Sequence, residues 1–147
     1  MYNKILVPLD GSKTAECALE HVLAVAKGCR VLEIYILLVV EPVLPGFYVT
    51  DEKAYEMLES WGKEYLTGVQ NSLVNEGLNA KTVIVKGKAA DSIIDYAQKN
   101  GIDLIIMSTH GRSGPSRWAF GSVADRVIRS AVVPVLIAVP KGCRVSS

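Results

Sequence analysis

Short apolar runs alternate along the chain with longer segments of helical periodicity. The runs lie at residues 4–8, 31–40, 81–85, 103–108 and 135–139. Apolar runs of this length, with few polar residues, are typical of strands that are covered on both faces of a sheet. In the segments between them, apolar residues recur at spacings of three and four, which indicates helices with one buried face. The alternation predicts an α/β protein with a mostly parallel sheet.

Polar residues and glycines mark where the predicted helices begin and end. Ser12 and Thr50 are the predicted N-caps of the first and second helices, because their hydroxyl oxygens can accept from unpaired N–H groups of the first turn. Gly28 is expected to end the first helix in a left-handed conformation. Ser122 is predicted to cap the fourth helix, with Asp125 as its partner in an approximate capping box.

Five strands and four connecting helices fit one doubly wound, Rossmann-like sheet. We expect a single five-stranded parallel sheet of order 3-2-1-4-5, with helices on both faces, over residues 1–140. Residues 41–49 contain two prolines and a glycine and are predicted to form a loop, and residues 141–147 a flexible tail. In this order the first and fourth strands are neighbours at the topological switch point, where ligands bind outside the carboxyl ends of the strands. The two loops concerned begin at Leu9 and at Ser108.

Charge and composition exclude several classes of partner. The 147 residues carry a net charge of +1, too balanced for nucleic acid or an anionic membrane to be the main partner. The first residues lack the pattern of a signal peptide, and the longest apolar run, residues 34–40, is too short to span a bilayer. The three scattered cysteines argue against a disulfide framework or a zinc site. We therefore expect a cytoplasmic protein.

The segment MSTHGRSGPSRWAFGSV, residues 107–123, leads from a strand to a helix and is rich in glycine and hydroxyl groups. Glycines let backbone N–H groups approach an anion closely, and a helix N-terminus adds unpaired N–H groups and partial positive charge. The basic residues of the region are Arg112, Arg117, Arg126 and Arg129. The pattern predicts a phosphate site; the alternative is a long loop whose glycines only make turns.

Other phosphate-binding motifs do not fit. Gly87 and Lys88 are reminiscent of a P-loop, but Thr82 stands where its first glycine would be and Ala89 replaces the hydroxyl that binds the metal. No G-x-G-x-x-G follows the first strand, which argues against a dinucleotide-binding site. Lys86 ends the third strand where a phospho-acceptor receiver domain would need an aspartate.

Taken together, these residues resemble the universal stress protein family. Its ATP-binding members carry G-x2-G-x9-G-[ST] after the fourth strand. Here Gly111, the nine residues 112–120 and then Gly121-Ser122 match that spacing, while Ser108 stands in place of the first glycine. ILVPLDGS resembles the family's opening strand and loop, ILLVVEP its second strand, and VKGKAADSII its third strand and helix. The resemblance covers nearly the whole chain.

The resemblance implies a stress-response regulatory protein that binds ATP, with or without Mg²⁺ or Mn²⁺, and acts as a nucleotide-dependent switch. It implies a homodimer through the last strand, residues 135–139, whose exposed apolar edge would also favour pairing. Asp10 should lie near the ribose and adenine, with Pro8 beside it and Val39 at the adenine edge. The residues expected to surround the phosphates, mainly through main-chain N–H groups, are Ser108, Gly111, Gly114, Gly121, Ser122 and Val123. Arg112 is added on its charge alone.

Several alternatives stay open. Asp10 has a second possible role as the cap of the first helix, and both roles are compatible. A slow ATPase or nucleotidyl hydrolase would need a positioned base and a carboxylate for the metal, but His110 has no evident partner and no catalytic residue is assigned. A dimeric interaction protein without nucleotide is the third function. Trp61 and Tyr65 follow a helical stripe and are predicted to be core residues rather than a ligand cage.

Overall fold

The structure is a computed structural model that describes residues 1–41, 43–44, 47–48, 52–109 and 121–140. Its elements, in chain order, are β1 (Lys4–Leu9), α1 (Lys13–Glu16), α2 (Leu19–Cys29), β2 (Glu33–Val40), β3 (Val43–Leu44), β4 (Phe47–Tyr48), α3 (Glu52–Asn75), β5 (Ala80–Lys86), α4 (Ala89–Lys99), β6 (Leu104–Ser108), α5 (Ser122–Ser130) and β7 (Val135–Ala138). Within these residues, none of the helices is both long and apolar enough to cross a membrane. Thr50 and the predicted tail, residues 141–147, lie outside the described residues.

Five strands form one parallel sheet in the order β5-β2-β1-β6-β7. Without the short strands β3 and β4 this order reads 3-2-1-4-5, so the predicted topology is confirmed. β1 pairs with β2 from Lys4, opposite Glu33, to Leu9, opposite Leu38. Its ladder with β6 is shorter and joins Ile5 to Leu104 and Leu6 to Ile105. The carboxyl ends of β1 and β6 therefore lie on either side of the crevice that is expected at the switch point.

The loop predicted over residues 41–49 contains a small hairpin, so that prediction was wrong in part. β3 and β4 pair antiparallel, with Val43 opposite Tyr48 and Leu44 opposite Phe47. Two residues per strand are too few to produce an alternating sequence pattern, which is the signal on which strand prediction depends.

Helices cover both faces of the sheet, as predicted. Along β1, Ile5 and Val7 face the apolar side chains of α1, α2 and α3, whereas Leu6 faces those of α4 and α5. The alternation follows from the two-residue period of a strand, and it explains why β1 is apolar almost throughout. All three of these side chains are fully buried.

The first predicted helix starts as expected, but a turn at residues 17 and 18 divides it into α1 and α2, and it ends at a different residue. The Ser12 hydroxyl accepts a hydrogen bond from the Ala15 N–H at 3.1 Å, which confirms the cap. The expected stop at Gly28 was wrong, because α2 continues to Cys29 and Arg30 takes the left-handed conformation with φ 54°. The Val31 N–H, one residue beyond the left-handed Arg30, donates to the Ala26 carbonyl at 3.1 Å, and this bond closes the end of the helix in the manner of a Schellman motif.

The last helix begins one position earlier than a cap at Ser122 would require. Gly121 is the N-cap of α5 and Ser122 is the first helical residue, so the Ser122 cap and the capping box were wrong. The Asp125 N–H donates to the Gly121 carbonyl at 2.8 Å, while the Asp125 carboxylate accepts from Arg129 Nε at 3.0 Å. Glycine is tolerated at N-caps nearly as well as threonine, although it offers no side-chain acceptor to the first turn.

A single carboxylate joins the amino-terminal ends of β1 and β6. Asp103 Oδ2 accepts hydrogen bonds from the N–H groups of Asn3 at 2.8 Å and Lys4 at 2.9 Å. The Asp103 N–H in turn donates to the Lys4 carbonyl at 2.9 Å. These bonds hold the two strands together at the end opposite the crevice.

Candidate functional site

A cleft of about 350 Å³ opens at the carboxyl ends of β1, β2 and β6, between α3 and the start of α5. This volume falls within the range of small-molecule sites in proteins. The cleft wall is largely aliphatic. The predicted site residues that line it are Pro8, Asp10, Val39, Gly121, Ser122 and Val123. The fold thus brings together residues that lie far apart in the sequence, on both sides of the switch point.

The remaining predicted residues are not among the described cleft lining. Ser108 is buried at the end of β6, 6% exposed, and its Oγ has no hydrogen-bond partner among the described residues. Gly111, Arg112 and Gly114 lie outside the described residues, as does His110, so their contacts with a ligand stay predictions. Among the described non-glycine residues only Arg30 has a positive φ, so serine at position 108 imposes no left-handed strain on the backbone.

The loop after β1 is a tight turn that leads into α1. Asp10 Oδ1 accepts from the Ser12 N–H at 2.9 Å, and Gly11 between them has φ +88°. An aspartate that accepts from the residue two positions on makes an Asx turn. Ser12 is therefore the helix cap, and Asp10 stabilises the turn before it. The cap role considered for Asp10 is thus taken by Ser12.

The opposite wall is formed where β6 leads to α5. The Thr109 N–H donates to the Ala138 carbonyl at 3.0 Å, and the Gly121 N–H donates to the Thr109 carbonyl at 2.6 Å. The N–H groups in the first turn of a helix have no acceptor within that helix and carry its partial positive charge. At this wall Ser122 and Val123 provide that first turn, and both line the cleft.

Two of the four arginines assigned to the phosphate region belong elsewhere. Arg126 Nη2 lies 2.7 Å from Asp91 Oδ1 on α4, and Arg129 Nε lies 3.0 Å from Asp125 Oδ2. Neither arginine lines the cleft within the described residues. The pairing with carboxylates explains the difference, because the sequence places these basic residues near the loop but does not give the direction of their side chains.

Trp61 is a cleft residue that sequence reasoning placed in the core. It is 42% exposed and lines the cleft, so the prediction was wrong for this residue. Its ring stacks on that of Tyr65, with centroids 5.5 Å apart and planes at 8°. The Tyr65 hydroxyl is buried without a hydrogen-bond partner among the described residues. Burial, and then the negative charges of Glu16 and Asp10, raise the pKa of this phenol.

Glu41 is a second cleft residue that the sequence did not reveal. It follows β2, lines the cleft, and its Oε1 accepts from the Ala89 N–H at 3.0 Å in the first turn of α4. Lys88, the N-cap of α4, makes no side-chain capping bond, so Glu41 supplies an acceptor from another element. The motif ILLVVEP contained this residue, but its role depends on the contact between β2 and α4.

The arrangement suits binding of a planar apolar group joined to an anion. Aliphatic side chains and Trp61 form one part of the cleft, and the α5 N-terminus lies at another. Asp10 and Glu41 are the carboxylates in the described lining, which contains no histidine or cysteine. Among the described residues no group of three potential metal ligands was found.

Comparison with known proteins identifies the family of this doubly wound α/β chain. The model of the universal stress protein family matches residues 1–139. Universal stress protein MJ0531 of Methanocaldococcus jannaschii is 36% identical, over 93% of this chain and 82% of the relative. This chain belongs to the universal stress protein family.

Solved structures agree with that assignment. The structure of MJ0577, from Methanocaldococcus jannaschii, has a TM-score of 0.86 at 32% identity, over 96% of this chain and 98% of that chain. An Arabidopsis thaliana universal stress protein family member, solved with AMP bound, has a TM-score of 0.66 at 17% identity, over 95% of this chain and 92% of that chain. At that identity the second likeness shows the fold alone.

Proposed function

We propose that this universal stress protein binds ATP in the cleft and acts as a nucleotide-dependent switch in a stress response. The observation that carries the proposal is the position of the α5 N-terminus across an apolar cleft from the Asp10 turn, at the switch point of the sheet. Ligands of doubly wound proteins bind at this point. AMP bound to the Arabidopsis thaliana relative, which shares the fold, is consistent with an adenine nucleotide.

Each part of the nucleotide has a chemical counterpart in the proposed site. Val39 and Pro8 offer apolar contact to adenine, and the Asp10 carboxylate can accept hydrogen bonds from ribose hydroxyls. The triphosphate would lie toward Ser122 and Val123, where N–H groups and the helix dipole favour negative charge. The proposal extends this phosphate contact to Ser108, Gly111, Gly114, Gly121 and Arg112.

A divalent ion would come to this site with the nucleotide. Mg²⁺ is commonly held by one or two carboxylates together with substrate phosphates and water, so it needs no complete protein cage. Asp10 and Glu41 are the carboxylates that line the described part of the cleft. We therefore propose that Mg²⁺ or Mn²⁺, when present, is bound mainly by the phosphates, with at most one or two protein ligands.

Isothermal titration calorimetry with ATP, ADP, AMP and cAMP, each with and without Mg²⁺, tests the proposal. Wild-type protein should bind ATP, Gly121→Val should abolish binding by obstructing the approach of the phosphates, and Asp10→Ala should weaken it less. Asp95→Ala is a matched control, because Asp95 pairs with Lys99 on the outer surface of α4. Absence of binding by wild-type protein to every adenine nucleotide would overturn the proposal and favour an interaction protein without nucleotide.

Hydrolysis of the bound nucleotide should be slow. A cradle of main-chain N–H groups binds the ground state about as well as the transition state, and such uniform binding does not raise turnover. We expect turnover well below roughly 1 per second, the low end of typical enzymes. Single-turnover hydrolysis of labelled ATP, in wild type and in His110→Ala and Asp10→Asn, measures this. Fast hydrolysis that either substitution removes would make the ATPase the better assignment.

The proposed assembly is a homodimer in the cytoplasm, formed through the last strand. β7 lies at the end of the strand order and pairs with β6 along Val135–Ala138. Val132 and Val139, which flank it, are 70% and 41% exposed. An apolar edge of this kind favours pairing with a second copy of the chain.

A further inference from the structure

The Asp10 turn, residues Asp10, Gly11 and Ser12, lies against the indole of Trp61. A Cβ placed on Gly11 would come within 2.5 Å of Trp61 Cη2 and 2.9 Å of Trp61 Cζ2. Contacts that short do not occur between a Cβ and an aromatic ring, so glycine is the residue that lets the turn approach the ring. Gly11 also has φ +88°, which favours glycine independently of the contact.

The indole that the turn contacts is itself held in place. Tyr65, one helical turn further along α3, stacks on Trp61 with its ring nearly parallel. Gly62, the next residue, brings α3 close to β2, because a Cβ there would lie 2.5 Å from Leu38 Cδ2. Trp61 is therefore stacked on a second ring and carried by a helix that packs directly on the sheet.

The turn is also held by local hydrogen bonds. Asp10 Oδ1 accepts a hydrogen bond from the Ser12 N–H, and the Ser12 hydroxyl accepts one from the Ala15 N–H of α1. Contact with Trp61 restricts the conformations that Gly11 could otherwise adopt. Because Asp10 and Trp61 both line the cleft, the contact also determines where the Asp10 carboxylate meets a ligand.

We propose that Trp61 is the positioning residue of the Asp10 turn, and that this contact sets the affinity of the cleft for adenine nucleotides. The second half of this inference rests on the proposed function; the first half concerns the protein without ligand. Trp61 acts through Asp10 and Gly11, so its removal should alter both the order of the turn and nucleotide binding, while the fold is retained.

A double-mutant cycle of Gly11→Ala and Trp61→Leu measures the contact. Gly11→Ala introduces both a clash with Trp61 and the strain of a positive φ, and Trp61→Leu removes only the clash. Because the strain is present with either residue at position 61, the coupling between the two substitutions isolates the contact. The readouts are ATP affinity by calorimetry, and hydrogen exchange of the Ser12 amide by NMR in the ligand-free protein.

Trp61→Leu should speed exchange of the Ser12 amide and weaken ATP binding about tenfold, within the range of couplings between contacting residues. Trp61→Phe, which keeps an aromatic ring over Gly11, should retain most of the affinity. The loss in the double variant should be smaller than the sum of the two single losses. Val74→Ala is the matched control on α3, since Val74 is 49% exposed and far from the turn, and it should change neither readout.

Unchanged exchange of the Ser12 amide in Trp61→Leu would overturn the positioning role, whether or not nucleotide binds. Faster exchange with unchanged ATP affinity would overturn the second half of the inference, because the order of the turn would then not set the affinity of the cleft. If wild-type protein binds no adenine nucleotide while Trp61→Leu still speeds exchange, the proposed function fails and the positioning of the turn stands.

Discussion

Gly62 of α3 lies so close to Leu38 of β2 that a Cβ on the glycine would come within 2.5 Å of Leu38 Cδ2. Gly62 is buried, and Ile84 of β5 is the next neighbour, at 3.3 Å from the same position. The absence of a side chain thus sets the distance between α3 and the sheet. Because Trp61 precedes Gly62, the close approach of Gly62 to the sheet also fixes the distance between the indole and the Asp10 turn.

Gly62→Ala should lower the stability of the protein, whereas Gly68→Ala on the same helix should raise it. Alanine gains up to about 1 kcal/mol over glycine within a helix, and a Cβ on Gly68 would meet no atom within 4 Å. At Gly62 this gain is outweighed by overpacking, which typically costs about 1–3 kcal/mol. Urea denaturation of both variants measures the difference. Equal stabilisation by the two substitutions would contradict close packing at Gly62.

Asp103→Ala should destabilise the protein by about 1–2 kcal/mol, because it leaves the N–H groups of Asn3 and Lys4 without their shared acceptor. Asp103→Asn keeps an oxygen that can accept, and should cost less. Asp95→Ala is the matched control, since its exposed ion pair with Lys99 contributes little. Thermal unfolding measures all three. A loss no larger for Asp103→Ala than for the control would show that the bonds do not stabilise the fold.

The phenol of Tyr35 should stabilise the fold up to alkaline pH. Its hydroxyl donates to the Glu33 carboxylate, and this bond, together with burial, raises the pKa of Tyr35 to about 12. A pKa raised in the folded state gives a contribution that is complete below the unfolded value of about 10 and is lost as the pH rises toward 12. The stability difference between wild type and Tyr35→Phe should therefore shrink over this interval. A difference that stays constant with pH would count against the bond.

Ile137→Lys should convert the proposed dimer into monomer or insoluble protein, since Ile137 also packs against the apolar core beside α4 and α5. A charge in the middle of an edge strand is unfavourable when a second strand pairs beside it. Met57→Lys is the control, because Met57 is an apolar residue of α3 that is 74% exposed. Light scattering after size exclusion gives the mass of each protein. A monomer mass for wild type at micromolar concentration would contradict the dimer.

The strands and their order could be predicted because each strand has its own apolar run and the connections are helical. The details that failed depend on bonds between residues that carry no sequence signal. Arg30, not Gly28, adopts the left-handed conformation, and the Val31 N–H beyond it closes the end of α2 on the carbonyl of Ala26. The β3–β4 hairpin was missed because its strands are too short to show the two-residue alternation of apolar and polar side chains.

The residues of the site also fall into those that the sequence could predict and those that it could not. Pro8, Asp10 and Val39 were predictable because they stand at the ends of strands that meet at the switch point. Trp61 was not, since it reaches the cleft only through packing of α3 on the sheet. Glu41 follows β2 directly, but its role depends on its bond to the Ala89 N–H of α4. The arginines of α5 were named only as basic residues of the region, and their carboxylate partners become evident only in the folded chain.

The two ends of strands β1 and β6 have different roles, as the bonds of Asp103 and the short β1–β6 ladder show. Hydrogen bonds join the amino-terminal ends, whereas the carboxyl ends form part of the wall of the cleft. Substitutions that change what the cleft recognises therefore fall a strand's length away from the bonds that maintain the fold. Because of this separation, ligand preference can change during evolution without substitutions at the bonds that maintain the fold.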